Sequence, residues 1–123
     1  MRAVLLTSDL MLVSSAHGIA QRRGVELTIV ADAEAAGNAS AEAIVIAIDL
    51  RSPGLDVASL VQQLRARATS GATIVAFSPH VHTDALSAAA AAGCDEVITR
   101  GQFEHRFHAL LAALTAPAAK DQK

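Results

Sequence analysis

The residues of this chain that could do chemistry stand where short apolar runs end. They comprise two carboxylates, three hydroxyls and one cation: Ser8, Asp9, Asp49, Ser78, Thr99 and Arg100. Carboxylate oxygens are the ligands that magnesium prefers, and a carboxylate also serves as a nucleophile toward phosphorus. A hydroxyl and a cation stabilise charge on transferred phosphoryl oxygens. Brought together, this set suits a hard cation and an oxyanion.

A scaffold that gathers these residues is predicted by the chain's periodicity, because apolar runs alternate with amphipathic stretches. We predict strands at 3–6, 25–30, 43–48, 72–77 and 96–99, and helices at 10–23, 57–70, 83–92 and 102–114, with a short helix and a loop within 32–41. Repeated strand–helix units imply parallel strands joined by right-handed crossovers. The predicted fold is α/β, a three-layer doubly wound five-stranded parallel sheet of the flavodoxin-like kind. Sites in such folds lie at the carboxyl ends of the strands.

Local signals refine these elements. The run AIVIAI at 43–48 is the most apolar strand, which favours a central position buried on both faces. Asp56 and Thr83 are candidate helix N-caps, and Gly93 is a helix stop. The last helix has an apolar stripe made of Phe103, Phe107, Leu110, Leu111 and Leu114.

Composition bounds the class of protein. The 123 residues fit one domain at 1–116 followed by a disordered tail at 117–123. A net charge of -2 with 2% aromatic residues gives no footprint for nucleic acid. No apolar stretch has the length to span a bilayer, and the N-terminus lacks a signal-peptide pattern. We therefore expect a cytoplasmic protein. Cys94, the single cysteine, is expected to be a small buried apolar residue.

With these residues in place, the chain resembles the receiver domain of bacterial response regulators over about residues 2–115. The stretches that carry the resemblance are LLTSDL, AIDLRSPGLD, IVAFSPH and AAGCDEVITR. The family has an acidic pair after the first strand and a phosphorylated Asp after the third. A Thr or Ser follows the fourth strand, and a Lys follows the fifth.

The resemblance implies a role for each matching position. Asp49 would accept the phosphoryl group. Asp9, Asp49 and the backbone carbonyl of Arg51 would bind magnesium. Ser78 would hydrogen-bond the phosphate and carry the conformational switch, and Arg100 would stand where the family has its Lys.

Several positions depart from the family pattern. Ser8 replaces the first acid, which should weaken magnesium binding. Arg100 has a planar fork where the family has a compact ammonium group, and Gly101 replaces the usual proline. Val97 stands where many receivers carry a switch aromatic, and Val57 where the loop commonly has Gly. Such losses resemble atypical receivers or pseudo-receivers.

The function implied is signal transduction by a stand-alone receiver-like domain, not an independent enzyme. Either Asp49 is phosphorylated with magnesium, by a histidine kinase or a phosphotransfer protein, or the fold is a phosphorylation-independent protein-binding switch. A downstream protein would bind the face formed by the fourth helix, fifth strand and fifth helix, and a homodimer is compatible with the resemblance. The alternative is a flavodoxin-like protein that binds a nucleotide or flavin, although no Gly-rich phosphate loop follows the first strand.

Simpler interpretations stand beside these roles. Asp9 and Asp49 could be caps of a helix or loop, Ser78 a turn residue before Pro79, and Arg100 a surface charge. Among the five histidines, His105 and His108 have the helical spacing of a zinc pair. A solvated helix face explains that pair more simply, since no cysteine or obvious carboxylate completes the set.

Overall fold

Alternating strands and helices build one parallel sheet with helices on both faces. The computed structural model describes residues 1–67 and 71–115. Within these ranges the strands are β1 (Arg2–Leu6), β2 (Glu26–Val30), β3 (Ala43–Asp49), β4 (Thr73–Ser78) and β5 (Glu96–Thr99). The helices are α1 (Leu10–Arg22), α2 (Ala33–Ala39), α3 (Val57–Arg67), α4 (Thr83–Ala91) and α5 (Phe103–Thr115), with a short 3₁₀ turn at Arg100–Gln102.

The strand order is β2-β1-β3-β4-β5, and each neighbouring pair is parallel. This is the doubly wound, five-stranded flavodoxin-like sheet that the sequence predicted. The prediction of a central third strand is confirmed as well, because β3 lies between β1 and β4 and is buried along nearly its whole length. The order reverses direction next to β1, so the switch point lies between β1 and β3.

The core has two halves, one on each face of the sheet. On one face Leu5 and Phe77 pack with Phe103 and Phe107 of α5, and the ring centroids of Phe77 and Phe103 are 4.5 Å apart. On the other face aliphatic residues of the strands pack with α2, α3 and α4. A chain that has only three phenylalanines and no Trp or Tyr thus places every aromatic ring in one half of its core.

Helix ends follow the sequence signals closely. Asp56 accepts a hydrogen bond of 3.1 Å from the Ser59 amide, so the predicted cap of α3 is confirmed. Gly24 and Gly93 follow α1 and α4 with φ of 69° and 96°. These left-handed conformations suit glycine, which has no Cβ to clash.

Three local predictions were wrong. The N-cap position of α4 is His82, while Thr83 is the first helical residue, and no side chain caps that end. Leu114 is exposed, and it stands next to the last residue of α5. Cys94 is half-buried rather than buried, since it lies in the turn between α4 and β5.

Two further predictions concern the chain's surroundings and its end. No helix within 1–67 and 71–115 is long and apolar enough to cross a membrane. The predicted tail at 117–123, and residue 116 with it, lies outside the described residues.

Candidate functional site

The carboxyl ends of β1, β3, β4 and β5 meet at one edge of the sheet. The strand registers fix this arrangement, because Leu6 pairs with Ile48 and Ser78 pairs with Thr99. Asp49, the last residue of β3, pairs with Phe77. Residues that follow these strands therefore lie around Asp49, as the periodicity predicted.

Asp49 is a buried carboxylate held by neutral donors. Its side chain is 5% exposed. Oδ2 accepts a hydrogen bond of 2.7 Å from the Thr7 hydroxyl, and Oδ1 accepts one of 3.0 Å from the backbone amide of Arg51. Its carbonyl accepts from the Ser52 hydroxyl at 2.8 Å, which fixes the loop that follows β3. The geometry presents a fixed, oriented carboxylate near the surface.

Thr7 is the residue of the site that sequence reasoning missed. It is buried, and its hydroxyl donates to Asp49 while accepting from the Asp9 amide at 3.1 Å. Strand register was the available signal: because Leu6 pairs with Ile48, the residue that follows β1 lies level with Asp49. Ser8, which the resemblance matched to an acidic position, is exposed.

Asp9 caps α1 with one carboxylate oxygen and faces the site with the other. Its Oδ1 accepts from the amides of Met11 and Leu12 at 3.1 and 3.2 Å, so it caps α1. Its Oδ2 lies 3.6 Å from Nη2 of Arg51 and 3.8 Å from Nε of Arg100. One oxygen therefore stabilises the helix, and the other faces the cations of the site.

The cations Arg51 and Arg100 approach the carboxylates from two sides. Nε of Arg51 lies 3.7 Å from Oδ1 of Asp49. Arg100 sits in the 3₁₀ turn before α5, where its Nη1 donates to both Glu104 carboxylate oxygens at 3.0 and 3.2 Å. Only the backbone carbonyl of Arg51 entered the sequence prediction, so its guanidinium is a second feature that reasoning from the sequence missed.

Ser78 lies at the same edge but has its own partner. It is fully buried, and its Oγ is 3.3 Å from Nδ1 of His82. The side chain of His82 thus covers the hydroxyl that the resemblance assigns to the phosphate. This contact is set by the tight turn after β4, in which the His82 amide donates to the Pro79 carbonyl at 2.9 Å.

The donor set at this edge fits a hard cation. Oδ2 of Asp9 and Oδ1 of Asp49 lie within 3.6 and 3.7 Å of the same guanidinium, so these two oxygens already bracket one cationic group. No group of three or more His, Cys, Asp or Glu side chains in the described ranges could hold a metal ion. Two carboxylates completed by a backbone carbonyl, water and phosphate are typical of magnesium rather than zinc.

The helical histidines lie elsewhere. His105 and His108 line an open groove of about 520 Å³ between α1 and α5. Glu104 lines the same groove. Its carboxylate is nevertheless paired with Arg100, which leaves the zinc interpretation of the pair without a third ligand.

The chain is similar in structure to receiver domains. The receiver domain of a sensor histidine kinase from Pseudomonas aeruginosa, with magnesium coordinated in its active-site cleft, is 18% identical, with a TM-score of 0.75, over 94% of this chain and 98% of that one. A receiver domain of a Francisella response regulator is 20% identical, with a TM-score of 0.71, over 99% and 98%.

A further similarity is to the co-crystal structure of a Saccharomyces cerevisiae histidine phosphotransfer protein and the receiver domain of its downstream response regulator. It has 13% identity and a TM-score of 0.76 over 96% of this chain and 92% of that one. No protein-family model and no curated protein matches the sequence. At these identities the likeness establishes the architecture: the chain has the fold of response-regulator receiver domains.

Proposed function

We propose that this chain is a signal-transduction receiver domain in which Asp49 accepts a phosphoryl group. One observation carries the proposal: the Asp49 carboxylate is buried, oriented by two hydrogen bonds, and placed at the carboxyl edge of a receiver-fold sheet. A carboxylate fixed in this way needs little reorganisation before it attacks. A buried acid with no function would be a costly residue at this position.

The proposed chemistry is phosphoryl transfer from a phosphohistidine. An oxygen of Asp49 forms the new P–O bond while the P–N bond to the donor imidazole breaks, and the imidazole leaves with the bonding electron pair. The product is an acyl phosphate. Arg100 and the Ser78 hydroxyl would stabilise the charge on the phosphoryl oxygens, and Ser78 would exchange its contact with His82 for one with phosphate.

Magnesium would be held by the carboxylates of Asp9 and Asp49 and by the backbone carbonyl of Arg51. When bound, it would neutralise negative charge shared by the carboxylates and the phosphoryl oxygens. Binding should be weak, since Ser8 and Thr7 supply hydroxyls where a second acid would strengthen the site. Magnesium in the cleft of the Pseudomonas aeruginosa receiver domain supports this assignment.

A phosphorylation-independent switch is the second candidate, and one observation favours it. Both oxygens of Asp49 already have partners, namely Thr7 on one and the backbone and guanidinium of Arg51 on the other. A carboxylate satisfied in this way is stable without a phosphoryl group. A partner protein would then select one conformation of the domain.

The proposed partners are a histidine kinase or phosphotransfer protein upstream and a protein, or a second copy of the chain, downstream, all in the cytoplasm. The downstream face would be that of α4, β5 and α5. It exposes small residues of α4, such as Ser87, Ala88 and Ala91, beside the Glu96–Arg106 ion pair. Nucleotide or flavin binding has less support, because the β1–α1 turn is closed by the Asp9 cap and has no glycine.

The test is uptake of a phosphoryl group or its analogue by the full chain. We expect acetyl phosphate with millimolar magnesium to add one phosphoryl group by intact mass. We also expect beryllofluoride to shift the amide resonances of residues 49–52 and 78. Asp49→Asn should abolish both signals, since the amide cannot act as the acceptor.

The matched control is Asp56→Asn, the same chemical change on the same loop. Asp56 is exposed and caps α3, a role that Asn fills equally well. Uptake that survives in Asp49→Asn would refute Asp49 as the acceptor. No uptake by the parent chain would leave the phosphorylation-independent switch as the better function.

A further inference from the structure

Arg51 is placed between the two carboxylates of the site. Its Nη2 is 3.6 Å from Oδ2 of Asp9, and its Nε is 3.7 Å from Oδ1 of Asp49. The same residue's backbone amide donates to that Asp49 oxygen at 3.0 Å. A single residue thus anchors its main chain on Asp49 and bridges both acids with its side chain.

The bridge made by Arg51 differs from an ordinary surface ion pair, because one of its carboxylates is buried. The side chain of Asp49 is 5% exposed, whereas that of Arg51 is 44% exposed. A buried carboxylate needs a counter-charge, because burial removes the water that would otherwise stabilise it. The guanidinium of Arg51 supplies that charge and is itself partly exposed to solvent.

Arg100 does not provide the same bridge. Its Nε is 3.8 Å from Asp9, but its Nη1 is committed to Glu104. Among the described residues the ion pairs to Asp49 come from Arg51 alone. Arg51 is therefore the cation that lies between Asp9 and Asp49, the two carboxylates proposed to hold the metal.

We propose that Arg51 is an internal counter-ion that takes the place of the divalent cation and sets how strongly the site binds it. The inference rests on the proposed function, because it concerns the same two carboxylates. In the metal-free protein the guanidinium neutralises Asp9 and Asp49. Magnesium binds only when this side chain moves out, so each binding event must first break two ion-pair contacts.

Competition of this kind lowers the apparent affinity for magnesium without changing its ligands. Contacts of partly exposed ion pairs are modest, so removing the guanidinium should tighten magnesium binding roughly three- to tenfold. The chain would respond to phosphoryl donors at low magnesium less than a receiver with a neutral residue at this position. Arg51 in this sense sets the affinity of the cation site.

The experiment is a magnesium titration of the uniformly labelled full chain, followed at the amide resonances of residues 49–52. The variants are Arg51→Gln, which removes the charge, and Arg51→Lys, which keeps it on a more flexible stem. We expect Arg51→Gln to tighten binding roughly three- to tenfold and Arg51→Lys to stay within about twofold of the parent. The matched control is Arg2→Gln, which loses the exposed pair with Glu26 at the opposite edge of the sheet and should not change the affinity.

A second readout follows stability. In EDTA, Arg51→Gln should melt at a lower temperature than Arg2→Gln, and millimolar magnesium should abolish that difference. Equal magnesium affinities for the parent and Arg51→Gln would overturn the inference and leave the proposed function standing. Magnesium binding by neither protein would overturn both the inference and the metal part of the proposed function, while phosphoryl uptake at Asp49 is measured separately.

Discussion

The hydroxyl of Thr7 donates a hydrogen bond of 2.7 Å to Oδ2 of Asp49, across the 42 residues that separate them in the chain. Thr7 also accepts from the Asp9 amide at 3.1 Å. One hydroxyl therefore ties the end of β1 to the candidate acceptor and to the cap of α1. Both ends of this link are buried, so the contact is protected from water.

We predict that Thr7→Val lowers the free energy of unfolding by about 1–3 kcal/mol, because it leaves a buried carboxylate oxygen short of a donor. Valine has the same shape and fits the strand, so packing is little changed. Urea unfolding at neutral pH measures the loss. Thr28→Val on the half-buried strand β2 is the control and should be near neutral. An equally stable Thr7→Val would show that Asp49 does not depend on this donor.

A second prediction compares two ways of adding the acid that the resemblance expects. Thr7→Asp places a carboxylate next to Asp49, so it should destabilise the metal-free chain and tighten magnesium binding by roughly tenfold or more. Ser8→Asp adds its charge at an exposed position, where screening limits the gain to about twofold. Magnesium titrations of the two variants decide which residue faces the cation. A larger effect from Ser8→Asp would reverse this assignment.

The sheet and its edge were predictable because periodicity carries them. Five apolar runs separated by amphipathic stretches indicate parallel strands joined by right-handed crossovers. Parallel strands end at the same edge of the sheet, which was enough to predict that Asp9, Asp49, Ser78 and Arg100 meet there. The position of Asp49 at the end of β3 was predictable from the sequence alone, because the apolar run AIVIAI indicates a strand buried on both faces. Residue type at strand ends thus predicted which side chains meet at this edge.

The hydrogen bonds and ion pairs between side chains were not predictable in the same way. The bond from Thr7 to Asp49 depends on the register of β1 against β3, and a shift by one residue would replace Thr7 with Ser8. The bridge made by Arg51 depends on the path of the β3–α3 loop, which the motif DLRSPGLD does not fix. The pairing of Arg100 with Glu104 depends on where α5 begins, and helix boundaries are poorly determined by sequence.

A third prediction concerns the pH dependence of the α4–β5–α5 face. Arg106 donates two hydrogen bonds to Glu96, the Nε–Oε1 distance being 2.6 Å, and these bonds lower the pKa of that carboxyl. Because the pKa of Glu96 is lower in the folded chain than in the unfolded chain, the ion pair stabilises the fold at pH values above the unfolded-state pKa. This stabilisation is lost as the pH falls through the folded-state pKa. Glu96→Gln should therefore cause a small loss of stability at pH 7 and a smaller loss near pH 3. Urea midpoints at both pH values measure this, and equal losses at both would contradict it.

A fourth prediction concerns Cys94, whose thiol is half-buried in the turn after α4. Burial raises the pKa of this thiol, and the nearby Arg65 only partly offsets that effect. The reactive thiolate is therefore scarcer than in free cysteine. We expect a disulfide reagent to react at least about threefold more slowly with the folded chain than with the urea-unfolded chain at pH 7.5, with the gap narrowing toward higher pH. A folded-state rate equal to the unfolded one would mean that the thiol is effectively exposed.

The last prediction separates binding of a phosphoryl analogue from the response to it. Arg100 donates to both carboxylate oxygens of Glu104 at 3.0 and 3.2 Å, and it lies in the 3₁₀ turn just before α5. We expect Arg100→Ala to retain beryllofluoride at Asp49 with roughly tenfold weaker affinity, and to lose the accompanying amide shifts in α4 and β5, because a charge-assisted contact to the analogue is gone.

Glu104→Gln frees the Arg100 guanidinium and should strengthen binding of the analogue, while Arg67→Ala, at the end of α3, serves as the matched control. Unchanged shifts in α4 and β5 with Arg100→Ala would remove Arg100 from the switch and leave Ser78 as the residue that senses the phosphoryl group.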